Sequence, residues 1–167
     1  MANNKKLRVR SSSKPALVIS RPALNAERLV YLAVANKALK YPHGRSRIAY
    51  IGTTKVGAGR IAASAAYRAK DLLELRGVKS LSFYVVTCTA RQRVKSWQKL
   101  ETGLILSFRH MYGSAPRCNV MGKNQKWDDE LLYFTRNRLE NVLRKHETEP
   151  LLYGLLNRPG FSGGSGV

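Results

Sequence analysis

One carboxylate stands alone in the middle of this chain. Glu101 is the only acidic residue between Glu74 and Asp128, and the sequence on either side of it is basic. The basic residues around it are Arg91, Arg93, Lys95, Lys99, Arg109 and Arg117. Such a carboxylate can pair with a lysine, or it can hold one divalent ion whose other ligands are waters and phosphate oxygens. The sequence leaves both interpretations open.

The other residues with reactive side chains form no recognisable site. His43, His110 and His146 share no motif spacing with one another or with Cys88 and Cys118. This gives little support to a zinc site or a His–Cys nucleophile, and two cysteines are too few for a disulfide scaffold. We therefore expect two reduced thiols in a cytoplasmic protein.

The charge of the chain points to a polyanionic partner. The 167 residues carry 30 Lys and Arg against 10 Asp and Glu, a formal net charge of +20, although 44% of the residues are hydrophobic. A compact domain this basic repels itself, and nucleic acid is the commonest polyanion that offsets such repulsion. No apolar run reaches the ~18 residues that a membrane span needs, so we expect no membrane partner.

Hydrophobic patterns predict an α+β fold, with a small three-stranded mixed or antiparallel sheet flanked by helices in the order β-β-α-β-α-α. Residues 26–40 fit a helix or a strand, and we choose a strand because Pro42 and Gly44 suggest a loop into a second strand. The predicted strands are 29–35, 47–53 and 80–87, and the predicted helices are 58–76, 91–112 and 128–146. The last helix has acids at its start and cations at its end, which suits a helix dipole.

Composition divides the chain into three parts. Residues 1–20 read as a flexible basic arm, because they carry five cations and no acid. Residues 21–150 are long enough for a single domain with its own core. Residues 151–167 read as a tail that ends in a Gly/Ser-rich run.

Five positions in order make the chain resemble the GIY-YIG nucleases. The segment Leu29-Val30-Tyr31 stands at the first family triad, and Tyr50-Ile51-Gly52 matches the second triad letter for letter. Arg60 follows at about the family distance at the start of a helix, Glu101 lies on a later helix, and Asn119 lies in the loop after it. The resemblance covers residues 28–120 and implies a GIY-YIG-like catalytic domain.

The resemblance implies a metal-dependent endonuclease that hydrolyses phosphodiester bonds of DNA, with RNA as an open alternative. Tyr31 or Tyr50 would take a proton from water, and Arg60 would place its guanidinium on the phosphate. Glu101 would hold one Mg²⁺ or Mn²⁺ ion, and Asn119 would position neighbouring groups by hydrogen bonds. One such domain has one site, so the expected state is a monomer or a dimer formed on DNA.

The chain also departs from the family pattern. The first triad lacks its glycine and isoleucine, and Ser64 stands where many members have a histidine one turn after the arginine. Between the two tyrosines lies a cationic insert, in which we expect Arg45 and Arg47 to contact nucleic acid. We expect the same of several residues at or after the second triad: Lys55, Ser64, Tyr67 and Arg68.

Two other interpretations remain. A nucleic-acid-binding protein that keeps the fold without cutting would explain the charge equally well. A structural protein, such as a ribosome-associated one, also fits the charge but leaves the series of motifs unexplained. What separates cutting from binding is whether Tyr31, Tyr50, Arg60 and Glu101 line one concave basic surface.

Overall fold

The computed structural model describes residues 27–90, 93–120 and 124–147. The predicted arm, residues 1–20, and the predicted tail, residues 151–167, lie outside the described residues. Within the described residues the elements are, in chain order, β1 (Leu29–Tyr41), β2 (Gly44–Thr54), α1 (Ala58–Leu73), β3 (Leu81–Val86), α2 (Ser96–Tyr112), α3 (Glu130–Tyr133) and α4 (Arg136–Lys145). The α+β class and the element order are confirmed through α2.

The sheet has three antiparallel strands in the order β2-β1-β3. Residues 26–40 fit a helix or a strand from sequence alone, and in the structure residues 29–40 are strand. The reason is burial: Leu29 to Ala35 are all buried in the central strand, where a continuous apolar run is typical. The predicted cationic insert is therefore not a loop but the far half of a long hairpin, closed by a two-residue turn at Pro42 and His43.

A bulge in β2 sits beside Tyr50. Ala33 pairs with Tyr50 but the next residue of β1, Val34, pairs with Ile48, so Ala49 has no partner of its own across the strand pair. An extra residue of this kind bends the strand and re-aims the side chains next to it. The bulge therefore helps to set the direction of Tyr50.

The two faces of the sheet carry different helices. Side chains alternate along a strand, so Tyr31 and Leu32 lie on opposite faces. Tyr31 contacts Ser64 of α1, whereas Leu32 belongs to the main core with Leu104 of α2. We call these the α1 face and the α2 face. The α2 face also receives α4, because Tyr84 lies on it and packs against His146 directly after that helix.

The helix predicted over 128–146 is wrong in one respect, because the chain breaks it in two. Phe134 is extended (φ −134°, ψ 130°), and Thr135 begins α4 by accepting a hydrogen bond from the amide of Arg138. The acidic residues before the break, Asp128 and Asp129, therefore do not lie at the start of one long helix. Asp128 and Asp129 pair instead with Lys99 of α2, which ties this segment to α2.

The outer edge of β2 is covered by the loop that follows α2. The amide of Cys118 donates to the carbonyl of Ala49 at 2.9 Å. One residue further on, the Asn119 side chain pairs with both backbone groups of Ile51. This cover holds the strand that carries Tyr50 at a fixed position, because it occupies the backbone groups on the free side of that strand.

A search of the described residues for membrane-spanning segments found no helix with the length and apolarity to cross a bilayer.

Candidate active site

Tyr31 and Tyr50 converge over a glycine. The two residues lie on neighbouring strands of the α1 face, and their ring centroids are 5.9 Å apart. Gly52, directly across from Tyr31, leaves the space they occupy. A Cβ on Gly52 would lie 2.6 Å from Tyr50 Cε1 and 2.9 Å from the Tyr31 hydroxyl oxygen, closer than real contacts allow. The glycine of the Tyr50-Ile51-Gly52 triad is therefore needed for the two rings to meet.

The two tyrosines differ in exposure. Tyr31 is 2% exposed, and its hydroxyl donates to Ser64 Oγ at 2.8 Å. Burial raises the pKa of Tyr31 to about 12, partly offset by the Ser64 hydrogen bond and by the charge of Arg60. Tyr50 is only half-buried. Tyr50 is therefore the more accessible of the two tyrosines, and the buried Tyr31 ring packs against it.

Helix α1 brings three further predicted residues to the same place. Ser64 accepts from Tyr31, and the Arg68 guanidinium carbon lies 4.7 Å from the centre of the Tyr50 ring. Arg60 is exposed in the first turn, close enough for its charge to lower the pKa of Tyr31. Ser64 and Arg68 stand on the same side of the helix as Arg60, at spacings of about one turn each.

The start of α1 adds positive potential to this surface. Gly57 begins the helix with a φ of 73°, a left-handed conformation that favours glycine. The first turn has no acidic residue and no side-chain cap. The amides at such a terminus attract anions. Lys55, predicted as a phosphate contact, is exposed just before this turn.

The other predicted nucleic-acid contacts lie further along the hairpin. Arg45 is exposed near the turn, about 16 Å along β2 from Tyr50 at ~3.3 Å per residue. Arg47 is half-buried, and its Nε donates to the carbonyl of Ala35 at 2.8 Å. Arg45 is thus exposed to a polyanion, but at a distance from the tyrosines. Arg47 is instead hydrogen-bonded to the backbone of Ala35, where β1 bulges away from β2.

Glu101 comes from the opposite side of the sheet. Its helix, α2, packs on the α2 face, so Glu101 does not share a face with the tyrosines. At 100° per residue, Glu101 lies on the same side of α2 as Ile105 and Phe108. Other sides of the helix face other segments: Thr102 contacts Gln125, and Gly103 contacts Leu139. The expected single surface forms for Tyr31, Tyr50 and Arg60 but does not include Glu101, whose helix lies on the opposite face of the sheet.

The environment of Glu101 is unusual for a carboxylate in so basic a chain. It is half-buried and, within residues 27–90, 93–120 and 124–147, makes no salt bridge or side-chain hydrogen bond. Lys99, a neighbour in sequence, pairs with Asp128 and Asp129 instead. Burial raises the pKa of Glu101 to about 7. The expectation that a lysine neutralises this carboxylate is not met among the described residues.

A lone, partly desolvated carboxylate fits one kind of metal site. No group of three or more His, Cys, Asp or Glu side chains in the described part of the chain could hold an ion. A magnesium ion needs fewer protein ligands, because it keeps several waters and takes oxygens from a bound phosphate. Glu101 therefore fits an ion that substrate and water complete.

Asn119 positions backbone rather than substrate. Its Oδ1 accepts from the Ile51 amide at 2.9 Å and its Nδ2 donates to the Ile51 carbonyl at 2.7 Å, and it is buried. Both polar ends of the side chain are thus engaged with the middle residue of the Tyr50-Ile51-Gly52 triad. This limits any direct contact of the Asn119 amide with a reacting group.

One residue near the site was missed from the sequence. Arg28 has a φ of 54° and places its guanidinium carbon 5.3 Å from the Trp97 ring. Trp97 lies one helical turn before Glu101, so a cation stands close to the start of α2. No sequence signal reveals this, because a left-handed arginine is uncommon and the contact joins distant segments.

Comparison of the chain with protein-family models, with curated proteins and with solved structures found no match.

Proposed function

We propose that the protein is a metal-dependent endonuclease of the GIY-YIG type that hydrolyses phosphodiester bonds of DNA. The observation that carries the proposal is the convergence of Tyr31 and Tyr50 over Gly52, next to Arg60 and Arg68. Phosphodiester hydrolysis needs a group that takes a proton from water, which an ionised tyrosine oxygen can do, and cations that neutralise a phosphate.

Each residue has a distinct part in this proposal. The Tyr50 oxygen, once its own proton has gone to solvent, holds the attacking water and takes a proton from it. The Tyr31 ring packs against Tyr50, and the Tyr31 hydroxyl is held by its hydrogen bond to Ser64. Arg60 sets its guanidinium on the phosphate as negative charge grows there. Glu101 would hold the ion, which requires its carboxylate to reach the substrate around the edge of the sheet. The chemistry that Mg²⁺ or Mn²⁺ supplies when bound is stabilisation of the charge on the non-bridging and leaving oxygens.

The net charge of +20 supports a polyanionic substrate but not its identity as DNA or RNA. One domain provides one site, so the same proposal expects a monomer, or a dimer formed on DNA when both strands are cut. It also places the protein in the cytoplasm, where free thiols such as Cys88 and Cys118 stay reduced.

A second candidate is a nucleic-acid-binding protein that does not cut. One observation favours it: Glu101 lies on a helix of the α2 face, away from the face of Tyr50. If its carboxylate does not reach the substrate, the tyrosine and arginine cluster would bind a phosphate without hydrolysing it.

A plasmid-nicking assay separates the two candidates. The endonuclease proposal expects supercoiled plasmid to become nicked with Mg²⁺ or Mn²⁺, and to stay intact in a chelator. The Arg60→Ala variant, checked for folding by circular dichroism, should nick at least ~10²-fold more slowly, as when one charge-stabilising donor is removed. Retention of plasmid on the protein with no metal-dependent nicking would reject the endonuclease and favour the binder.

A further inference from the structure

An exposed aromatic ring stands beside the tyrosine and arginine cluster. Tyr67 of α1 is 71% exposed, and the Arg68 guanidinium carbon lies 5.2 Å from its ring centre. The same carbon lies 4.7 Å from the ring of Tyr50. Tyr67 is therefore separated from the proposed proton acceptor by one guanidinium group.

The fold does not require a tyrosine at this position. The buried and half-buried residues of α1 follow a stripe of about one-turn spacing that includes Ser64, Arg68 and Leu72, and Tyr67 lies outside it. Single exposed apolar residues are normal on protein surfaces. The exposure of Tyr67 is notable because of Arg68. The Arg68 guanidinium contacts both the Tyr67 ring and the Tyr50 ring, so it links the exposed ring to the tyrosine cluster.

We infer that Tyr67 is a stacking platform for an unpaired base, and that the substrate class is nucleic acid with a single-stranded segment next to the bond that is cut. In a duplex the faces of the bases are covered by their neighbours, and only base edges are reachable in the grooves. Arg68 lies over the Tyr67 ring on one side, and within a duplex the remaining exposed face could be covered only by a base that has left the stack.

The charges around Tyr67 fit the same ligand. Arg68 lies beside the ring and Lys70 is exposed on the same helix, while Asp71, one turn after Tyr67, is the one acid of α1. The backbone of a strand stacked on Tyr67 would therefore meet more cations than acids. Aromatic faces with adjacent cations bind single strands with little regard to base sequence. The inference rests on the proposed function for what happens at the neighbouring phosphate, but not for the binding itself.

The test compares two ligands of equal length under a chelator, where nothing is cut. A fluorescent single-stranded oligonucleotide and the blunt duplex of the same sequence are titrated at one fixed salt concentration. Tyr67→Ala should weaken single-strand binding by roughly 5- to 100-fold, the range for loss of one stacked base, and leave duplex binding within about 2-fold. Tyr67→Phe should bind the single strand as the unaltered protein does, because it keeps the ring face.

A matched control removes an exposed apolar side chain elsewhere. Leu132 is 80% exposed on α3, on the other side of the sheet from α1. Leu132→Ala should leave both affinities unchanged. Equal losses on both ligands for Tyr67→Ala, or no loss on the single strand, would overturn the inference. A Tyr67→Ala change that only alters self-association, measured by sedimentation, would overturn it too and would mark the ring as a protein contact.

The outcome is separable from that of the proposed function. Single-strand selectivity through Tyr67 without metal-dependent nicking would support the stacking platform and reject the endonuclease. Metal-dependent nicking together with an unchanged preference of Tyr67→Ala for single-stranded over duplex DNA would support the endonuclease and reject the stacking platform.

Discussion

At the scale of single residues, Tyr31 and Tyr50 differ in how deeply they are buried, and this difference separates their proposed roles. Tyr31 is buried and donates a hydrogen bond to Ser64, whereas Tyr50 reaches the surface beside Arg68. Deprotonating Tyr31 is difficult because its pKa is raised to about 12. In the proposed mechanism Tyr50 is therefore the group that contacts the attacking water, and Tyr31 is the group that packs against Tyr50.

Substituting the two tyrosines should therefore have unequal effects. Tyr50→Phe removes the proton acceptor and should slow nicking by roughly 10²–10⁴-fold, the usual contribution of a positioned acid or base. Tyr31→Phe loses one hydrogen bond to Ser64 and should cost about 1 kcal/mol of stability and less than that range in rate. Single-turnover nicking rates check this. A larger rate loss in Tyr31→Phe would exchange the two roles.

Glu101 should make the stability of the metal-free protein depend on pH. Its pKa is 4.5 in the reference state and about 7 in the folded protein, so the folded state favours the protonated carboxyl. Stability is fully present below about pH 4.5 and is lost as pH rises through about 7, because the partly buried group must then ionise. The loss should be about 1–3 kcal/mol, which allows for the part of the carboxylate that water screens.

The measurement is chemical unfolding in a chelator at about pH 5 and about pH 8.5, on either side of the raised pKa. Glu101→Gln should remove most of the pH-dependent loss and be more stable than the unaltered protein at the higher pH. Glu140→Gln is the control, since Glu140 pairs with Arg144 on the surface of α4. A Glu101→Gln variant with the pH profile of the unaltered protein would show that this carboxyl does not titrate with a raised pKa.

At the scale of elements, the site depends on how β2 is held at its outer edge. Asn119 supplies a donor and an acceptor to the backbone of Ile51 and so replaces a missing neighbouring strand. Without it, a buried amide and a buried carbonyl would lose their partners. Each unsatisfied group of this kind costs about 1–3 kcal/mol.

Asn119→Ala should therefore lower the free energy of unfolding by about 2–4 kcal/mol, less than two full penalties because water can reach part of the gap. Nicking should fall as well, because the neighbouring Tyr50 is no longer fixed. Asn137→Ala, at an exposed position of α4, is the matched control and should change neither. An Asn119→Ala variant of unchanged stability would mean that the loop does not hold this edge.

The elements themselves were largely predictable from sequence. The strands, α1 and α2 follow from apolar runs and stripes, and their order was predicted correctly as far as α2. The length of the hairpin was not, because β1 bulges away from β2 between Val34 and Leu39 and this hides the alternation. The break at Phe134 was missed although Thr135 is a good N-cap residue, because the surrounding helix pattern continues across it.

The site was predictable in its residue types but not in its geometry. The triad Tyr50-Ile51-Gly52 marks the strand, yet the steric need for Gly52 appears only once two strands pair. No sequence pattern shows that Lys99 is taken up by Asp128 and Asp129, or that Glu101 is left without a described partner. Such facts depend on which segments meet in space.

At the scale of the whole molecule, the charge of +20 should govern binding. Neutralising on the order of 6–10 phosphates would weaken DNA binding by ~10³–10⁵-fold between 50 and 200 mM salt, because bound counterions are released. Removing residues 1–20, which contain five cations, should flatten this dependence and leave metal-dependent nicking in place. Titrations of both proteins at several salt concentrations check it. Binding that hardly responds to salt would show that the charge serves another partner.

In the proposed mechanism Glu101 would hold a metal ion for catalysis, and the Glu101→Gln variant tests this role most directly. The change keeps the shape of the side chain and removes its charge. The nicking rate with Mg²⁺ and the metal-free affinity for DNA are measured on the same variant, with folding checked by circular dichroism. We expect nicking to fall by ~10³-fold or more, while metal-free affinity holds steady or rises slightly because a negative charge has left a basic surface. A folded variant that nicks at nearly the original rate would contradict the assignment of Glu101 and, with it, the proposal that this protein is a metal-dependent nuclease.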